Sequence, residues 1–211
     1  MRRGKYETIK QTNKSDDHAV NNQPLGFTKT VLLYLHDLVY LLGIILLLLL
    51  LLFRVVVVSG SSMNPTLISG DYLLLISTPF YGSVEYGDIV VASKDSFENG
   101  EPIIKRVIAT EGQTVDIDFD EGIVYVDGIA LQEDYINDPT TLDEGMLFPL
   151  VVKEGCVFVL GDNRGRSQDS RSPLIGLIDT REILGKAFFL FLPGIDADTK
   201  TRDFSRIGGL G

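Results

Sequence analysis

The spacing of apolar residues changes once along the chain. Leu38 to Phe53 is an unbroken run of sixteen uncharged, mostly leucine residues, and four valines follow after Arg54. About twenty apolar residues are enough for a helix that crosses one bilayer, and Arg54 would reach the interface through its long side chain. A secretory signal that is removed usually has a shorter apolar core and a small-residue cleavage site. The pattern therefore predicts an uncleaved transmembrane anchor over residues 31–58.

Beyond Pro65 the apolar runs are short and bounded by Gly, Asp or Pro, a spacing typical of β-strands. The Asp127-Gly128 pair between two such runs is a strong hairpin signal. The runs are Tyr72 to Ile76, Ile89 to Ala92, Ile103 to Thr110, Thr114 to Phe119, Ile123 to Val126, Ile129 to Leu131, Cys156 to Leu160 and Ala187 to Leu192. Residues 132–150, rich in acids and broken by prolines, predict an irregular excursion.

The predicted fold class is mainly β, with an N-terminal transmembrane helix followed by one β-rich domain. The expected divisions are a polar arm over residues 1–30, the anchor over 31–58, the β-rich domain over 59–193 and a polar C-terminal tail over 194–211.

Charge differs on the two sides of the apolar run. Residues 1–30 hold six Lys/Arg and three Asp/Glu, a net charge of +3, whereas residues 55–211 hold twelve and twenty-five, a net charge of −13. The positive-inside rule predicts a single-pass protein of the cell membrane, with its arm in the cytoplasm and residues 59–211 outside. An acidic domain argues against nucleic acid as a partner, because phosphate contacts need Lys and Arg.

Histidine and cysteine are scarce. His18 and His36 are the only histidines, and Cys156 is the only cysteine. This composition excludes a Ser-His-Asp triad or a Cys-His pair in the β-rich domain and an internal disulfide, and it argues against a zinc site, whose usual ligands are His and Cys. A hydrolase built on this domain would take its base from Lys, Asp, Glu or Tyr, and we expect no metal and no organic cofactor.

Ser59 to Leu67, with the sequence S-G-S-S-M-N-P-T-L, directly follows the apolar run. Gly60 admits backbone angles that other residues avoid, and Pro65 keeps Asn64 out of the helical region. The stretch predicts an irregular turn that presents hydroxyl groups close to a membrane surface. It is either a polar linker or the site of a nucleophile, Ser62, which would need a neighbouring base.

Lys105 is the one lysine beyond the apolar run that lies inside an apolar stretch, Ile103 to Ile108. On a strand it shares a face with Ile103 and Val107. Burial disfavours the ammonium form and lowers the pKa of a lysine, which suits it to act as a base. The alternative is a charge that protects an edge strand from pairing.

Gly161 to Ser172 follows another apolar strand and is densely polar. Its twelve residues include two glycines, two carboxylates, three arginines and three serines. This composition fits either a solvated surface loop or a packed polar support. In a support, Asp169 would pair with Arg171, and the Ser167 hydroxyl would hydrogen-bond a lysine amine.

Together these stretches resemble type I signal peptidases, which are membrane-bound Ser-Lys proteases, over about residues 31–193. The likeness is to the bacterial, single-span form found in Gram-positive organisms. Four boxes occur in the family's order: Ser59 to Leu67, Gly70-Asp71, Tyr86 to Val91 with Ile104 to Val107, and Gly161 to Arg171. The resemblance implies that Ser62 is the nucleophile, that Lys105 is the general base, that Ser167 contacts the lysine, and that Asp169 and Arg171 brace the site.

The resemblance also implies an activity: removal of signal peptides from exported preproteins at a lipid membrane. The substrate pockets would be lined by Val58, Met63, Leu67, Ile103 and Ile104. Gly60 stands where some members carry a serine that helps to hold the oxyanion, so backbone amides, starting with that of Ser62, would serve here. Gly165-Arg166 replaces an Asp-Asn pair that is frequent in the family.

Two other functions compete with this interpretation. A self-cleaving Ser-Lys protein of the SOS-repressor type would share the fold, but it would not need a long anchor. A related processor or chaperone of surface pilus subunits would keep the anchor and the β-rich domain.

Overall fold

The computed structural model describes residues 26–94, 97 and 100–210. The chain divides into two compact units, Met1–Ile44 and Ile45–Gly211. Most of the expected polar arm, residues 1–25, lies outside the described residues.

Helix α1 spans Phe27–Leu52 and has no buried residue. Its most apolar window has a mean hydropathy of 2.6, and its 26 residues exceed the length that a bilayer requires. Among the described residues it is the one helix long and apolar enough to cross a membrane.

The anchor ends earlier than the sequence predicts. The helix stops at Leu52, and Phe53–Val57 forms strand β1, which pairs antiparallel with β2, Tyr72–Ser77, so that Val55 lies opposite Leu74. The extension of the anchor to residue 58 is therefore wrong for residues 53–57. β-Branched valines favour a pleated strand, and the ladder to β2 supplies the backbone partners that a helix would otherwise provide.

The remaining strands, in chain order, are β3 Ile89–Ser93, β4 Pro102–Thr110, β5 Thr114–Asp118, β6 Ile123–Val126, β7 Ile129–Ala130, β8 Leu150–Val151, β9 Cys156–Leu160, β10 Ile178–Asp179, β11 Ile183–Leu192 and β12 Gly208–Gly209. Single 3-10 turns occur at Thr78–Phe80, Thr180–Glu182 and Phe204–Arg206. The predicted mainly-β class with one N-terminal helix is confirmed.

Two antiparallel sheets result. The larger has eight strands in the order β1-β2-β11-β3-β4-β9-β10, with β12 added to β11, and the smaller has the order β7-β6-β5-β8. The predicted hairpin joins β6 to β7. Asp127 and Gly128 both have positive φ, 52° and 77°, as a type I′ turn requires.

The larger sheet is covered on both faces around β3. Ile89 and Val91 belong to one buried cluster, and Val90 and Ala92 belong to another. The first cluster also contains Val58, Met63 and Leu67, so the segment that carries Ser62 is built into this core. A third cluster joins β4 and β9 to the smaller sheet.

The expected C-terminal tail is not a separate extension in the structure. Gly208–Gly209 forms β12 on the edge of β11, where Gly209 lies opposite Phe189. Two glycines carry no strand signal of their own, so this pairing depends on the edge that β11 offers.

Gly185 tests the packing of β11 between β2 and β3. A Cβ at this position would lie 2.7 Å from the Ile76 carbonyl oxygen and 3.2 Å from the Leu75 Cβ. We expect Gly185→Ala to destabilise the fold by about 1–3 kcal/mol through overpacking. Gly208→Ala is the matched control, because no atom lies within 4 Å of its added Cβ. Urea unfolding of the full chain in detergent measures both, and equal midpoints would contradict the prediction.

Candidate active site

Ser62 lies on an irregular segment, residues 59–69, which we call the serine loop. Hydrogen bonds at its base hold the two ends together: the Val58 amide donates to the Asp71 carbonyl at 2.8 Å, and the Gly70 amide donates to the Val58 carbonyl at 2.9 Å. Gly60 has a φ of +89°, which favours glycine. The side chain of Met63 is buried directly after Ser62, so the core fixes where the half-buried serine sits.

The structure brings Ser62 and Lys105 together. Lys105 Nζ donates to Ser62 Oγ at 2.9 Å, between residues 43 positions apart. Lys105 is only 5% exposed. This is the spacing at which a serine hydroxyl can pass its proton to a neutral amine.

Lys105 belongs to an interior strand. β4 pairs with β3 on one side, where Lys105 lies opposite Val90, and with β9 on the other. The alternative of an edge-strand protecting charge is therefore wrong for this lysine, because β4 is an interior strand of the sheet and the lysine is buried, although the ladder to β9 begins only at Arg106.

The arginine loop, residues 161–172, is a packed support. Asp169 and Arg171 form the predicted ion pair, with Arg171 Nε donating to Asp169 Oδ1 at 2.8 Å and both side chains fully buried. Arg171 Nη2 also donates to the carbonyls of Arg164 and Ser167, and the Gly161 amide donates to Asp169 Oδ2. One buried pair thus ties both halves of the loop together, which a solvated loop would not need.

Ser167 does not make the contact expected of it. Its Oγ is buried and has no hydrogen-bond partner among the described residues, so the bond to Lys105 is not formed. The hydroxyl packs against Gly161, where an added Cβ would lie 2.1 Å from Ser167 Oγ and 2.4 Å from the Ser62 carbonyl oxygen. Ser167 is therefore adjacent to the Ser62 backbone, and only glycine fits between the serine and arginine loops at residue 161.

Asn163 joins the two loops directly, a role that the sequence did not reveal. The backbone N–H of Asn163 donates to the Ser62 carbonyl at 3.0 Å, and its side-chain Nδ2 donates to the Ser61 carbonyl at 3.0 Å. Two bonds to consecutive carbonyls hold the backbone on both sides of the reactive hydroxyl.

Arg106 and Asp162 form a second buried pair that the sequence analysis missed. Nε and Nη2 of Arg106 donate to the two carboxylate oxygens of Asp162 at 2.9 and 2.7 Å, and the Arg106 Cζ lies 4.1 Å from the centroid of the Tyr135 ring. Burial is the largest single influence and lowers the pKa of Arg106, but the hydrogen bonds and charge of Asp162, together with the neighbouring tyrosines, leave that pKa above its usual value. Because Arg106 follows Lys105 on β4, this pair also fixes the part of the strand that carries the lysine.

The acidic excursion contributes two further carboxylates. Glu133 pairs with the fully buried Arg164 at 2.6 Å. Glu144 accepts from the Asp169 amide at 3.4 Å, and burial raises the pKa of Glu144, with a further increase from the neighbouring Asp169 charge. The excursion, irregular as predicted, therefore packs onto the arginine loop.

A cleft of about 750 Å³ opens beside Ser62 and Lys105. Four of the five expected pocket residues line it: Val58, Met63, Ile103 and Ile104. Leu67 does not, because its side chain is fully buried in the core below the serine loop. Gly60 borders the cleft, and, apart from its two chain neighbours, no residue has an atom within 4 Å of the place that a Cβ would take.

Comparison with known proteins identifies the family. The profile described as "Signal peptidase, peptidase S26" matches residues 31–192, which is most of the chain. The chain belongs to the signal peptidase family, peptidase S26. It is a serine peptidase of this family.

Individual signal peptidases are similar over 64% of the chain. A probable signal peptidase I-1 of Synechocystis is 39% identical over 144 residues, covering 64% of this chain and 69% of that protein. A signal peptidase I of Bacillus licheniformis is 38% identical over 144 residues, covering 64% and 75%. A crystal structure of a signal peptidase I from Enterococcus faecalis V583 is 31% identical and covers 50% of this chain and 97% of that one, with a TM-score of 0.41. These relatives do not favour the pilus-subunit processor or chaperone.

The Asp169–Arg171 pair has a natural control in the same chain. Asp179 and Arg181 share its spacing and form an ion pair at 2.5 Å, but the Arg181 side chain is 88% exposed. We expect Asp169→Ala to cost about 3–5 kcal/mol of stability, because it leaves a buried guanidinium uncompensated. We expect a smaller loss from Asp179→Ala, because a pair with an exposed arginine contributes little and the Asp179 side chain otherwise caps the 3-10 turn Thr180–Glu182.

Chemical denaturation and peptide cleavage by both variants are the measurements. Equal stabilities for Asp169→Ala and Asp179→Ala would show that burial does not set the strength of the Asp169–Arg171 pair.

Proposed function

We propose that this chain is a membrane-bound signal peptidase I that removes signal peptides from exported preproteins with a Ser62–Lys105 dyad. The observation that carries the proposal is the 2.9 Å separation of Lys105 Nζ and Ser62 Oγ, on a buried lysine, in a chain of the S26 family. The relatives named above bear the name signal peptidase I, which supports the substrate class.

The chemistry begins with Lys105 in its neutral form. The amine takes the proton of the Ser62 hydroxyl while Oγ attacks the scissile carbonyl carbon, and a tetrahedral intermediate forms. Lys105 then gives that proton to the leaving amine as the peptide bond breaks, which leaves an acyl-enzyme. Lys105 then takes a proton from water as the water oxygen attacks the ester carbonyl, the bond between that carbon and Ser62 Oγ breaks, and Lys105 returns the proton to Oγ, which restores the neutral lysine and the serine hydroxyl.

Backbone amides of the serine loop would hold the oxyanion. The Ser62 amide is the first candidate donor, and the open space around Gly60 leaves room for the developing charge beside it. The hydrogen bonds from Asn163 to the carbonyls of Ser61 and Ser62 keep these peptide groups oriented. Asp169 and Arg171 hold the arginine loop against them, and Ser167 fills the space beside Gly161.

The cleft supports a preference for small residues before the cut. An extended peptide presents alternate side chains to one surface, so the first and third residues before the cut would face Val58, Met63, Ile103 and Ile104. These bulky apolar side chains leave shallow pockets, and Ala at both positions suits them best.

Helix α1 supplies the anchor in this proposal. A window of high mean hydropathy and the absence of buried residues suit a helix surrounded by lipid. The positive arm places the N-terminus in the cytoplasm and the β-rich unit outside. The reactive serine then works beside the membrane, where signal peptides emerge.

The role of Lys105 as a base is tested by replacing it with a residue that keeps the positive charge but cannot lose its proton. Lys105→Arg keeps a cation but cannot become neutral, because a guanidinium stays protonated. We therefore expect Lys105→Arg to be as inactive as Lys105→Ala and Ser62→Ala, with kcat reduced at least about 1,000-fold.

The assay is cleavage of a purified preprotein by the full chain in detergent. Lys94→Arg and Ser61→Ala serve as controls, because Lys94 donates to the Ile175 and Leu177 carbonyls, away from the dyad, and Ser61 is a hydroxyl residue adjacent to the nucleophile. Substantial turnover by Lys105→Arg would mean that the lysine is only a structural cation.

Specificity is tested by substrates with Ala, Leu or Asp at the first or third position before the cut. We expect Ala to be cleaved fastest at both positions, and Ile104→Ala to improve cleavage of a Leu substrate by enlarging the cleft. Leu74→Ala, which lies outside the cleft, should leave the preference unchanged. Equal rates for Ala and Leu next to the cut would rule out shallow pockets.

Orientation is tested by adding protease to intact right-side-out spheroplasts. The β-rich unit should be digested and the arm protected, because only the unit lies outside in this topology. An arm that is digested from outside would reverse the proposed orientation.

A further inference from the structure

A segment beyond the residues matched to the family reaches back to the serine loop. The match ends at residue 192, and residues 194–210, which we call the clasp, follow it. Strand β12 fixes the clasp to β11, and Leu210 packs against the core cluster that contains Met63 and Leu67. The clasp therefore shares a core with the segment that carries Ser62.

Arg206 makes the polar contact between the clasp and the base of the loop. Its Nη1 and Nη2 donate to the two carboxylate oxygens of Asp71 at 3.0 and 2.7 Å, and the Asp71 side chain is fully buried. The same carboxylate accepts from the amides of Ile68 and Gly194 at 2.8 and 2.6 Å. Arg206 supplies the charge that compensates this buried carboxylate, and such compensation matters greatly in a low dielectric.

Thr66 is held from two directions. Arg206 Nη2 donates to the Thr66 carbonyl at 3.1 Å, while the Thr66 hydroxyl donates to Asp162 Oδ2 at 2.5 Å. Asp162 is also the partner of Arg106, next to Lys105. The distal part of the serine loop is thus gripped by the clasp on one side and by the lysine-bearing strand on the other.

From these contacts we propose that Arg206 is a positioning residue for Ser62. Its guanidinium, hydrogen-bonded to Asp71 and to the Thr66 carbonyl, holds the serine loop in the position at which Ser62 Oγ lies within hydrogen-bonding distance of Lys105 Nζ. This inference rests on the proposed role of Ser62 as nucleophile. It assigns the clasp a part in catalysis although the clasp lines neither the cleft nor the dyad.

A loosened loop should affect turnover more than substrate binding. Arg206 does not line the cleft beside Ser62, so KM should hold. Misplacing the hydroxyl lowers the fraction of loop conformations ready for attack, so we expect Arg206→Ala to lower kcat about tenfold. Arg206→Lys keeps the charge but loses the fork, and it should recover part of the loss.

Arg202→Ala is the matched control. Arg202 lies on the same clasp and donates through Nη1 to the Pro193 carbonyl, and none of the hydrogen bonds found among the described residues joins it to Asp71 or to the serine loop. Both variants and wild type are assayed on one preprotein with Ala at the first and third positions before the cut. Hydrogen exchange of residues 58–71 is followed in each, because it reports loop opening without any turnover.

The expected result is a lower kcat with KM retained, and faster exchange confined to residues 58–71, in Arg206→Ala but not in Arg202→Ala. Equal kcat values for the two variants, a change in KM alone, or faster exchange throughout the β-rich unit would overturn the inference. If Arg206→Ala does not fold, Arg206→Lys is judged by the same criteria. Cleavage by wild type and by Arg202→Ala would leave the proposed function standing whichever result Arg206 gives.

Discussion

The 2.9 Å contact between Lys105 and Ser62 depends on holding an irregular loop still against a strand. The lysine is placed by an interior strand, where it pairs with Val90 of β3 and the next residue, Arg106, pairs with Leu160 of β9, but the serine lies in a segment without regular secondary structure. Such a segment has few backbone bonds of its own to resist motion. Everything that surrounds the serine loop can be understood as a means of restricting it.

Buried arginine–carboxylate pairs restrict the serine loop and the segments packed against it. Asp162, Asp169 and Asp71 are each at most 1% exposed, and each is paired with an arginine, Arg106, Arg171 and Arg206 respectively. Bringing such charges out of water is costly, and an apolar replacement would often be as stable. Bidentate pairs, however, accept only one geometry. We infer that they define the loop positions, while the apolar clusters below provide the bulk of the stability.

The two ends of the site serve different purposes. The cleft beside Ser62 is lined in part by the apolar side chains of Val58, Met63, Ile103 and Ile104, which in the proposed function would face the substrate. The opposite side of the serine loop is densely polar and gripped by Asn163, Asp162 and Arg206. A loop held from behind leaves its front surface open to a peptide, which is what an endopeptidase acting on an extended segment requires.

Local pattern determined the apolar helix, most strands and the hairpin, because helix length, strand spacing and the Asp127-Gly128 turn are properties of neighbouring residues. The four motif boxes pointed to Ser62, Lys105 and the Asp169–Arg171 pair, and the latter two residues are only two positions apart. Tertiary structure alone decided the rest. The valines after Leu52 became a strand because β2 offers an edge, and Gly208–Gly209 became one because β11 does. Leu67 is buried in the core and does not line the cleft, and Ser167 packs against Gly161 and does not bond Lys105. Arg206 pairs with Asp71, 135 positions away. Contacts between such distant segments follow from packing and carry no local signal.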